Sequence, residues 1–317
     1  MKVRFHLPDF AGHLKFNLVF ATMLRYFPGF FREGVEIASI YGTFPPSVWN
    51  GGRLQGGVSD RKFVRNVLDT FNEMGIPLRF TFTNPVIEKK HLSDKFCNMV
   101  MSLGNNGMNG VIVVSPILEE YIRTTYPKYK ITSSTCKRIT DPDALSAELE
   151  RDYHIVVVDY DFNNKFDILE KIENKEKCEL LVNACCEPGC KRRTEHYRAI
   201  GEEQIVYCNH VRKYPDKPFN YVDYCKNDES STHDCPCMNR QLFDIKGLST
   251  HITPDDIWNK YVPMGFSQFK IEGRSTNMLN LIETYLYYMV KPELIDEARY
   301  TLFYNLKSNG VIIFNEE

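Results

Sequence analysis

Cysteines in the second half of the chain offer the most specific chemistry in the sequence. Seven of the ten cysteines lie between Cys185 and Cys237. Two pairs in this window, Cys186 with Cys190 and Cys235 with Cys237, are spaced so that both thiolates of a pair could reach one metal centre. Four thiolates suit either a tetrahedral structural zinc or an iron–sulfur cluster. The residues alone favour neither metal strongly.

The start of the chain argues against a disulfide framework. Its first ten residues, MKVRFHLPDF, lack the basic stretch and long apolar run of a secretory signal. A chain of 317 residues also needs no disulfides to stabilise its core. We therefore expect reduced cysteines and a cytoplasmic protein. Cys97, Cys136 and Cys178 fit buried packing positions, and Cys185 is expected to point away from Cys186.

Overall composition excludes two classes of protein. The chain is 43% hydrophobic and 25% charged, which is enough to bury a full core. Its formal net charge of -2 gives no general attraction for nucleic acid, so RNA binding by this chain alone is not supported by charge. No apolar run approaches the roughly 20 residues needed to span a bilayer, so no membrane association is expected.

Short β-rich runs alternate with amphipathic stretches up to about residue 182, a pattern that predicts parallel strands with helices outside. The predicted strands are Lys2 to His6, Val35 to Tyr41, Leu78 to Phe82, Gly110 to Val114, Lys130 to Ser133, His154 to Asp159 and Cys178 to Val182. The predicted helices are Phe16 to Tyr26, Asp60 to Met74, His91 to Leu103, Ile117 to Thr125, Asp141 to Arg151 and Lys165 to Asn174.

An eighth unit completes the pattern near the end of the chain. Its strand is predicted at Gln268 to Glu272, followed by the capping pair Ser275 and Thr276 and a helix over Asn277 to Val290. Eight βα units predict a TIM-type (β/α)8 barrel, with a doubly wound open sheet as the main alternative. The single domain then divides into barrel units 1–7 (1–183), a cysteine-rich metal-binding insertion (184–261) and barrel unit 8 with the C-terminal tail (262–317).

Charged residues near the end of the eighth strand are candidates for catalysis. A period of two places Lys270, Glu272 and Arg274 on one side of the strand, with Phe269 and Ile271 on the other. We expect the three charges to point into the barrel mouth, where TIM barrels place their active sites. The alternative is a salt-bridge ladder without a ligand, because interior charges must be paired in any case.

Other loops add candidates for substrate binding on the same face. Asp159 and Asp161 end the sixth strand, although a solvated loop or a helix cap explains them equally well. Arg53 lies in the loop after the second strand and could contact a carboxylate or phosphate. Arg193, His196 and Tyr197 follow Cys190 closely. Cationic side chains there could bind an acidic substrate, and His196 could move a proton near neutral pH.

Several segments together resemble the peptidase U32 (collagenase-like protease) family, and the similarity runs over roughly the whole chain. They are LLVNACCEPGCKRRTEHY at 180–197, YVDYC at 221–225, ITPDD at 252–256 and FKIEGR at 269–274. The region of 41–53 and the stretch 159–163 also resemble the family's shorter bacterial branch. Their order and the FKIEGR ending are specific, whereas any one segment alone is weak.

The resemblance implies a TIM-like barrel with a four-cysteine iron–sulfur cluster, 4Fe-4S in type. It assigns three ligands to Cys186, Cys190 and Cys225, and the fourth to Cys235 or Cys237. Nine residues separate Cys225 from Cys235, a longer spacer than the family pattern, so Cys208 is a further candidate. The implied activity is oxygen-independent hydroxylation, or a related modification, of a polar cyclic or RNA-base substrate, alone or with a partner protein of the same family.

Two other functions compete with this prediction. The family label suggests a peptidase, although the sequence has neither a His-Glu-x-x-His zinc motif nor a Gly-x-Ser-x-Gly elbow. Alternatively, zinc could stabilise the cysteine-rich insertion as a non-catalytic binding platform. Metal analysis of protein purified without oxygen separates all three functions.

Overall fold

Eight parallel strands close into a barrel in sequence order. The computed structural model describes residues 2–220, 224, 235–273 and 277–313. The strands are β1 (Val3–Pro8), β2 (Val35–Gly42), β3 (Leu78–Phe82), β4 (Gly110–Val113), β5 (Lys130–Ser133), β6 (Ile155–Val158), β7 (Cys178–Leu181) and β8 (Gln268–Lys270). Because β8 pairs with β1, with Phe269 opposite Phe5, the TIM-type barrel is confirmed and the open-sheet alternative is wrong.

Helices follow the strands and pack around the barrel. They are α1 (Leu14–Tyr26), α2 (Arg61–Glu73), α3 (Lys95–Gly104), α4 (Pro116–Thr125), α5 (Pro142–Glu150), α6 (Phe166–Leu169), α7 (Arg193–Lys213), α8 (Leu242–Ile245), α9 (Pro254–Asp256), α10 (Met278–Met289) and α11 (Ile295–Ser308). Asp60, Asp94 and Asp141 begin three of these helices, because each carboxylate accepts a hydrogen bond from a backbone N–H in the first turn.

Three predicted helix boundaries are wrong for local reasons. The third helix starts at Lys95, not His91, because Asp94 caps it and a separate 3-10 turn precedes it. The sixth ends at Leu169, since the chain continues in i to i+3 turns to Asn174, which has a positive φ of 55°. Helix α10 is capped by Asn277, whose side chain accepts from the Leu279 N–H. The predicted capping pair lies outside the described residues.

Alternation along the strands separates an apolar outer layer from a polar barrel interior. Phe5, Phe80, Leu180 and Phe269 are fully buried in the main hydrophobic core. Their neighbours in β1, β3, β7 and β8 point the other way, because successive side chains on a strand face opposite sides. Those neighbours include five ionisable residues, four of them buried: His6, Arg79, Glu179 and Lys270. The interior of this barrel is therefore not the purely aliphatic packing that many such barrels have.

The chain between β7 and β8 is long. It leaves the barrel after Leu181, returns at Gln268, and contains α7, α8 and α9 among its described parts. Helix α7 was not foreseen from the sequence. In the described part of the chain, no helix combines the length and apolar character required to cross a bilayer. The exact domain boundaries and the cytoplasmic location stay predictions.

Candidate functional site

A cavity opens at the carboxyl-terminal mouth of the barrel, where the loops after the strands meet. We call it the upper cavity. Its volume is about 140 Å³, close to that of a cavity known to accommodate a single benzene ring. Its lining includes Tyr41, Arg53, Tyr160, Lys270 and Glu272. The cavity therefore has the size and polarity to hold one ring-sized polar group.

Below the upper cavity, four ionisable side chains meet inside the barrel. We call His6, Arg79, Glu179 and Lys270 the ion cluster. The Glu179 carboxylate lies 2.6 Å from Arg79 Nη1, 3.3 Å from His6 Nε2 and 3.5 Å from Lys270 Nζ. All four residues are buried, and Glu179 is 0% exposed. Glu179 is thus the shared anion of the cluster.

The environment fixes the protonation states of His6 and Glu179. Burial, together with the charge of Arg79, lowers the pKa of His6 from 6.5 to about 3, so the imidazole is neutral at neutral pH. Its Nε2 faces the side-chain amide oxygen of Gln268 at 3.0 Å, while its Nδ1 faces the Ser39 hydroxyl at 2.7 Å. The proton therefore sits on Nε2. Although burial opposes it, Arg79, His6 and Lys270 lower the pKa of Glu179 to about 2.

Lys270 connects the ion cluster to the upper cavity. Its ammonium lies 4.0 Å from the centre of the Tyr41 ring and lines the cavity floor. Burial, with Arg79 nearby, lowers the pKa of Lys270 to about 8 even though Glu179 acts in the opposite direction. Lys270 can therefore gain or lose a proton close to physiological pH, which is the property that a general acid or base needs.

Glu272 and Arg53 form the rim of the upper cavity. Arg53 Nη2 lies 3.4 Å from Glu272 Oε1, and its Nη1 donates to the Gly273 carbonyl oxygen. The other carboxylate oxygen of Glu272 accepts the Cys185 N–H at 2.9 Å. The structure thus places Lys270, Glu272 and Arg53 at one cavity, as the sequence suggested. Arg274 lies outside the described residues.

Beside this rim, Cys235 and Cys237 lie against the loop that carries Cys186 and Cys190. We call Cys186, Cys190, Cys235 and Cys237 the cysteine corner. The Cys237 thiol accepts the Glu187 N–H and contacts the Cys235 thiol, which brings the second pair to the loop of the first. The Arg240 guanidinium stabilises the same region. It donates to the Cys185 carbonyl oxygen at 3.0 Å and to the Glu187 carboxylate at 2.5 Å.

The described residues do not by themselves form a metal site. Within them, no group of three or more His, Cys, Asp or Glu side chains is arranged to hold a metal ion. Cys225, assigned as a ligand by the family resemblance, lies outside them. The reserve candidate Cys208 is buried in α7 against Gln204. It lies about 22 Å along the helix from Arg193 at 1.5 Å per residue, so it does not join the corner.

Cys186 and Cys185 face opposite sides, as expected. Cys185 belongs to the main hydrophobic core. Cys186 packs in a separate small cluster with Tyr160, Leu181 and Ala184. Because Tyr160 and Leu181 also line the upper cavity, one wall of that cavity is packed directly against the cysteine corner.

Asp159 and Arg193 are structural supports and do not line the upper cavity. The buried Asp159 carboxylate pairs with Arg193 and accepts the Asp161 N–H at 3.0 Å. The Arg193 guanidinium lies 4.1 Å from the Tyr160 ring centre. Burial in this ion pair leaves Arg193 unavailable to a substrate in that cavity, so it holds Tyr160 in place. The alternative of a capping role for Asp159 is the better description.

Asp161 supports the cysteine loop. Its carboxylate accepts the Gly189 N–H at 2.9 Å, and Gly189 has a φ of 65°, in the left-handed region that favours glycine. The turn is closed by the Cys190 N–H, which donates to the Glu187 carbonyl oxygen at 3.2 Å. Asp161 therefore shapes the loop between Cys186 and Cys190.

His196 and Tyr197 differ in position although they are neighbours on α7. Tyr197 is buried and lines the upper cavity, as expected of a substrate-binding residue. His196 is half-buried and is not part of the cavity lining. Successive residues on a helix point about 100° apart, which explains the difference. A direct catalytic role for His196 in this cavity is not supported.

Several cavity residues escaped the sequence analysis. Tyr41, Thr81, Thr83 and Tyr160 line the upper cavity, and so does Cys136, which had been assigned to packing. Burial raises the pKa of the Cys136 thiol, so it is neutral at physiological pH. The available signal was the alternation of polar with aromatic residues in Leu78–Phe82, which places Thr81 on the inner face.

Comparisons with known proteins find similarity to one solved structure. No protein-family model and no curated protein matches the sequence. A structural comparison finds similarity to the solved structure of the U32 peptidase Mk0906, with a TM-score of 0.49 and 14% identity. The match covers 86% of this chain and 94% of the other. Similarity at this level does not by itself assign a family or an activity.

Proposed function

We propose that this chain is an iron–sulfur enzyme of the peptidase U32 type. It holds a ring-sized polar group, such as an RNA base or another polar ring, in the upper cavity for oxygen-independent hydroxylation or a related modification. The observation that supports this most is the common wall between the cavity and the cysteine corner. Tyr160 packs against Cys186 and lines the cavity, while Glu272 binds the Cys185 N–H and lines the same cavity.

The donor set of the cysteine corner fits such a cofactor. Thiolates are soft ligands that favour iron–sulfur clusters and zinc over hard cations. Cys186 and Cys190, together with Cys225 and one of Cys235 and Cys237, would hold the cluster. When bound, an iron–sulfur cluster supplies one-electron redox chemistry at a potential set by its surroundings. Arg240, which contacts the corner, would offset part of the negative charge of the thiolates.

Residues of the chain itself would position the substrate. The Tyr41, Tyr160 and Tyr197 rings give the cavity flat apolar walls, and the Arg53 guanidinium at the rim attracts an anionic substituent. Lys270 on the floor, with a pKa of about 8, donates a proton to a ring oxygen or nitrogen, or accepts one from it. Packing of Tyr160 and Leu181 against the cysteine corner limits the entry of water from that side.

Metal analysis of protein purified without oxygen tests the proposal. We expect iron and acid-labile sulfide in equal amounts and a broad visible absorption that bleaches on reduction. Cys186→Ala should lose both iron and colour. Cys97→Ala is the matched control, because Cys97 is a buried thiol of the hydrophobic core and should leave the metal content unchanged.

Two outcomes contradict the proposal. Zinc without iron in the oxygen-free preparation would point to the binding-platform alternative. Equal iron in wild type and in Cys186→Ala would show that the metal lies elsewhere. Cys235→Ala and Cys237→Ala, measured side by side, then identify the fourth ligand as the one whose loss lowers the iron content.

The geometry gives less support to a peptidase of the Cys-His type. Cys136 is the thiol in the cavity lining, and burial raises its pKa. Among the described residues that line this cavity, none is a histidine that could activate the thiol. Peptide cleavage that persists after removal of the metal and is abolished by Cys136→Ala would restore the peptidase alternative.

A further inference from the structure

A second cavity opens at the opposite, amino-terminal mouth of the barrel. We call it the lower cavity. Its volume is about 470 Å³, and its lining includes Arg4, Arg79, Lys130 and His154. These residues begin or precede four different strands, so the barrel closure itself brings them together. The amino-terminal face of such barrels usually serves stability alone, which makes a cavity lined by four basic residues unexpected there.

Arg79 lies at the inner end of the lower cavity and has unused hydrogen-bonding capacity. The residue is 4% exposed. Its Nη1 lies 2.6 Å from Glu179, whereas Nε and Nη2 are buried and have no hydrogen-bond partner within the described structure. Buried donors without acceptors are costly, because they lose the hydrogen bonds that water would provide. A ligand with acceptor oxygens would remove this cost.

Charge balance favours an anion at the same place. The ion cluster contains two cations, Arg79 and Lys270, and one carboxylate, Glu179, while His6 is neutral. With Lys270 protonated, the interior carries one excess positive charge. Such a charge in a poorly solvated interior is stabilised by a nearby anion.

The rim of the lower cavity adds more positive charge. Burial, Lys130 and Arg79 lower the pKa of His154, which shows that the two cations face its ring. Arg4 also lines the cavity, but Glu36 partly neutralises it at 3.7 Å. Lys130 is exposed and free to turn toward a ligand. Apart from Glu36, the described lining residues include no other carboxylate.

A glycine provides the room that Arg79 occupies. A Cβ atom on Gly110 of β4 would lie 2.8 Å from the Lys130 carbonyl oxygen and 3.4 Å from Cγ of Arg79. The first distance is shorter than real contacts allow. Gly110 thus lets β5 pair closely with β4 and leaves room for the Arg79 side chain of β3, so that Arg79 and Lys130 flank it at one opening.

We propose that the lower cavity binds a phosphate group, free or at the end of a small phosphorylated molecule, through Arg79, Lys130 and His154. A guanidinium offers a planar pair of N–H donors that matches two phosphate oxygens. The cavity is larger than one phosphate, so an attached organic group can be accommodated. This site lies at the end of the barrel opposite the upper cavity and does not depend on a metal.

Binding of inorganic phosphate to the full-length chain tests the site. The thermal unfolding temperature is measured with millimolar phosphate and with chloride at the same ionic strength. Wild type should be stabilised by phosphate but not by chloride, and titration calorimetry should give one site. Lys130→Ala should weaken phosphate binding about tenfold, as expected for the loss of one charge-assisted contact.

Matched variants keep the test decisive. Lys62→Ala removes an exposed lysine of α2 and should bind phosphate as wild type does. Arg79→Lys keeps the buried charge but loses the planar donor pair, so it should fold and bind phosphate weakly. Equal effects of phosphate and chloride, or equal phosphate affinity in wild type, Lys130→Ala and Arg79→Lys, would overturn the site. Neither outcome affects the iron measurement, so the two proposals fail independently.

Discussion

The two mouths of the barrel share one carboxylate but differ in what they offer a ligand. The upper cavity is about the size of a single ring and combines Lys270 and Arg53 with Glu272. The lower cavity has about three times that volume, and its charged lining residues are mostly cationic. Glu179 lies between them and contacts the cation of each end, Lys270 above and Arg79 below.

This difference suits the upper cavity to acid–base chemistry and the lower cavity to the binding of an anion. Lys270 can change its protonation state near neutral pH because burial lowers its pKa to about 8. An arginine keeps its charge at all physiological pH values. Lys270 can therefore move protons at the upper end, whereas Arg79 at the lower end can only hold an anion. Three predictions test this contrast.

Removing the shared carboxylate should have the largest effect. Glu179→Gln leaves Arg79 and Lys270 buried without their anion, and we expect a loss of about 3–5 kcal/mol of unfolding free energy. Urea denaturation at neutral pH measures it. Glu173→Gln changes an exposed carboxylate before the same strand and should cost almost nothing. Similar stabilities for the two variants would mean that Glu179 does not hold the two ends together.

His6 should make the protein sensitive to mild acid. Its pKa is about 3 in the folded protein and 6.5 in the unfolded chain, so the unfolded state binds more protons as the pH falls below 6.5. Stability from His6 is therefore fully present above pH 6.5 and is lost toward pH 3. Glu179 has an unfolded pKa of 4.5 and a folded pKa of about 2, so the stability that it contributes is fully present above pH 4.5 and is lost only below that pH.

Unfolding curves between pH 6.5 and 4.5 check this prediction. The stability difference between wild type and His6→Gln should shrink by about 1.4 kcal/mol for each pH unit of acidification. Glutamine keeps a polar group near Ser39 and Gln268 but does not titrate. Parallel stability curves for the two proteins would show that His6 is not held neutral by the barrel interior.

Lys270 should give the upper cavity a pH dependence that Arg79 cannot give the lower cavity. Benzoate, a single ring with one negative charge, is a suitable probe for the upper cavity. Its affinity should fall as Lys270 loses its proton above pH 8, by at most about tenfold per pH unit. Lys270→Met should bind benzoate weakly at every pH. If that variant kept the wild-type pH profile, another group would control the upper cavity.

The sequence predicted the barrel well because its signals are local. The third and fifth strands match their predicted bounds, and all eight strands lie within two residues of them. Apolar runs alternate with capped amphipathic helices, and each of these patterns is contained in a few neighbouring residues. Lys270 and Glu272 were placed at the mouth for the same reason, since they end or directly follow a strand, and Arg53 was placed there because it lies in the loop after β2.

The ion cluster could not be predicted in the same way. Glu179 is the single charged residue in the apolar run Cys178–Leu181, and no neighbouring residue in the sequence indicates its role. Its partners His6 and Arg79 are distant in sequence and meet it only because the closed barrel brings three strands to one interior. Asp159 and Arg193 were predicted to bind substrate because they are charged residues near the barrel mouth. In the structure they form a buried ion pair that supports the fold. The partner protein and the cytoplasmic location stay predictions.

Helix α7 connects the loop that carries Cys190 to the loop that carries Arg53. It starts just after Cys190 and runs for 21 residues. Further along, Gln204 accepts the Gln55 N–H at 2.8 Å, and Tyr207 accepts the Gly57 N–H at 2.6 Å, so the helix also fixes the loop that carries Arg53. A helix of this length moves as a rigid body, so a displacement at one end also shifts the other end. Any rearrangement of the cysteine loop, including one caused by the proposed cofactor, would therefore move the Arg53 loop as well.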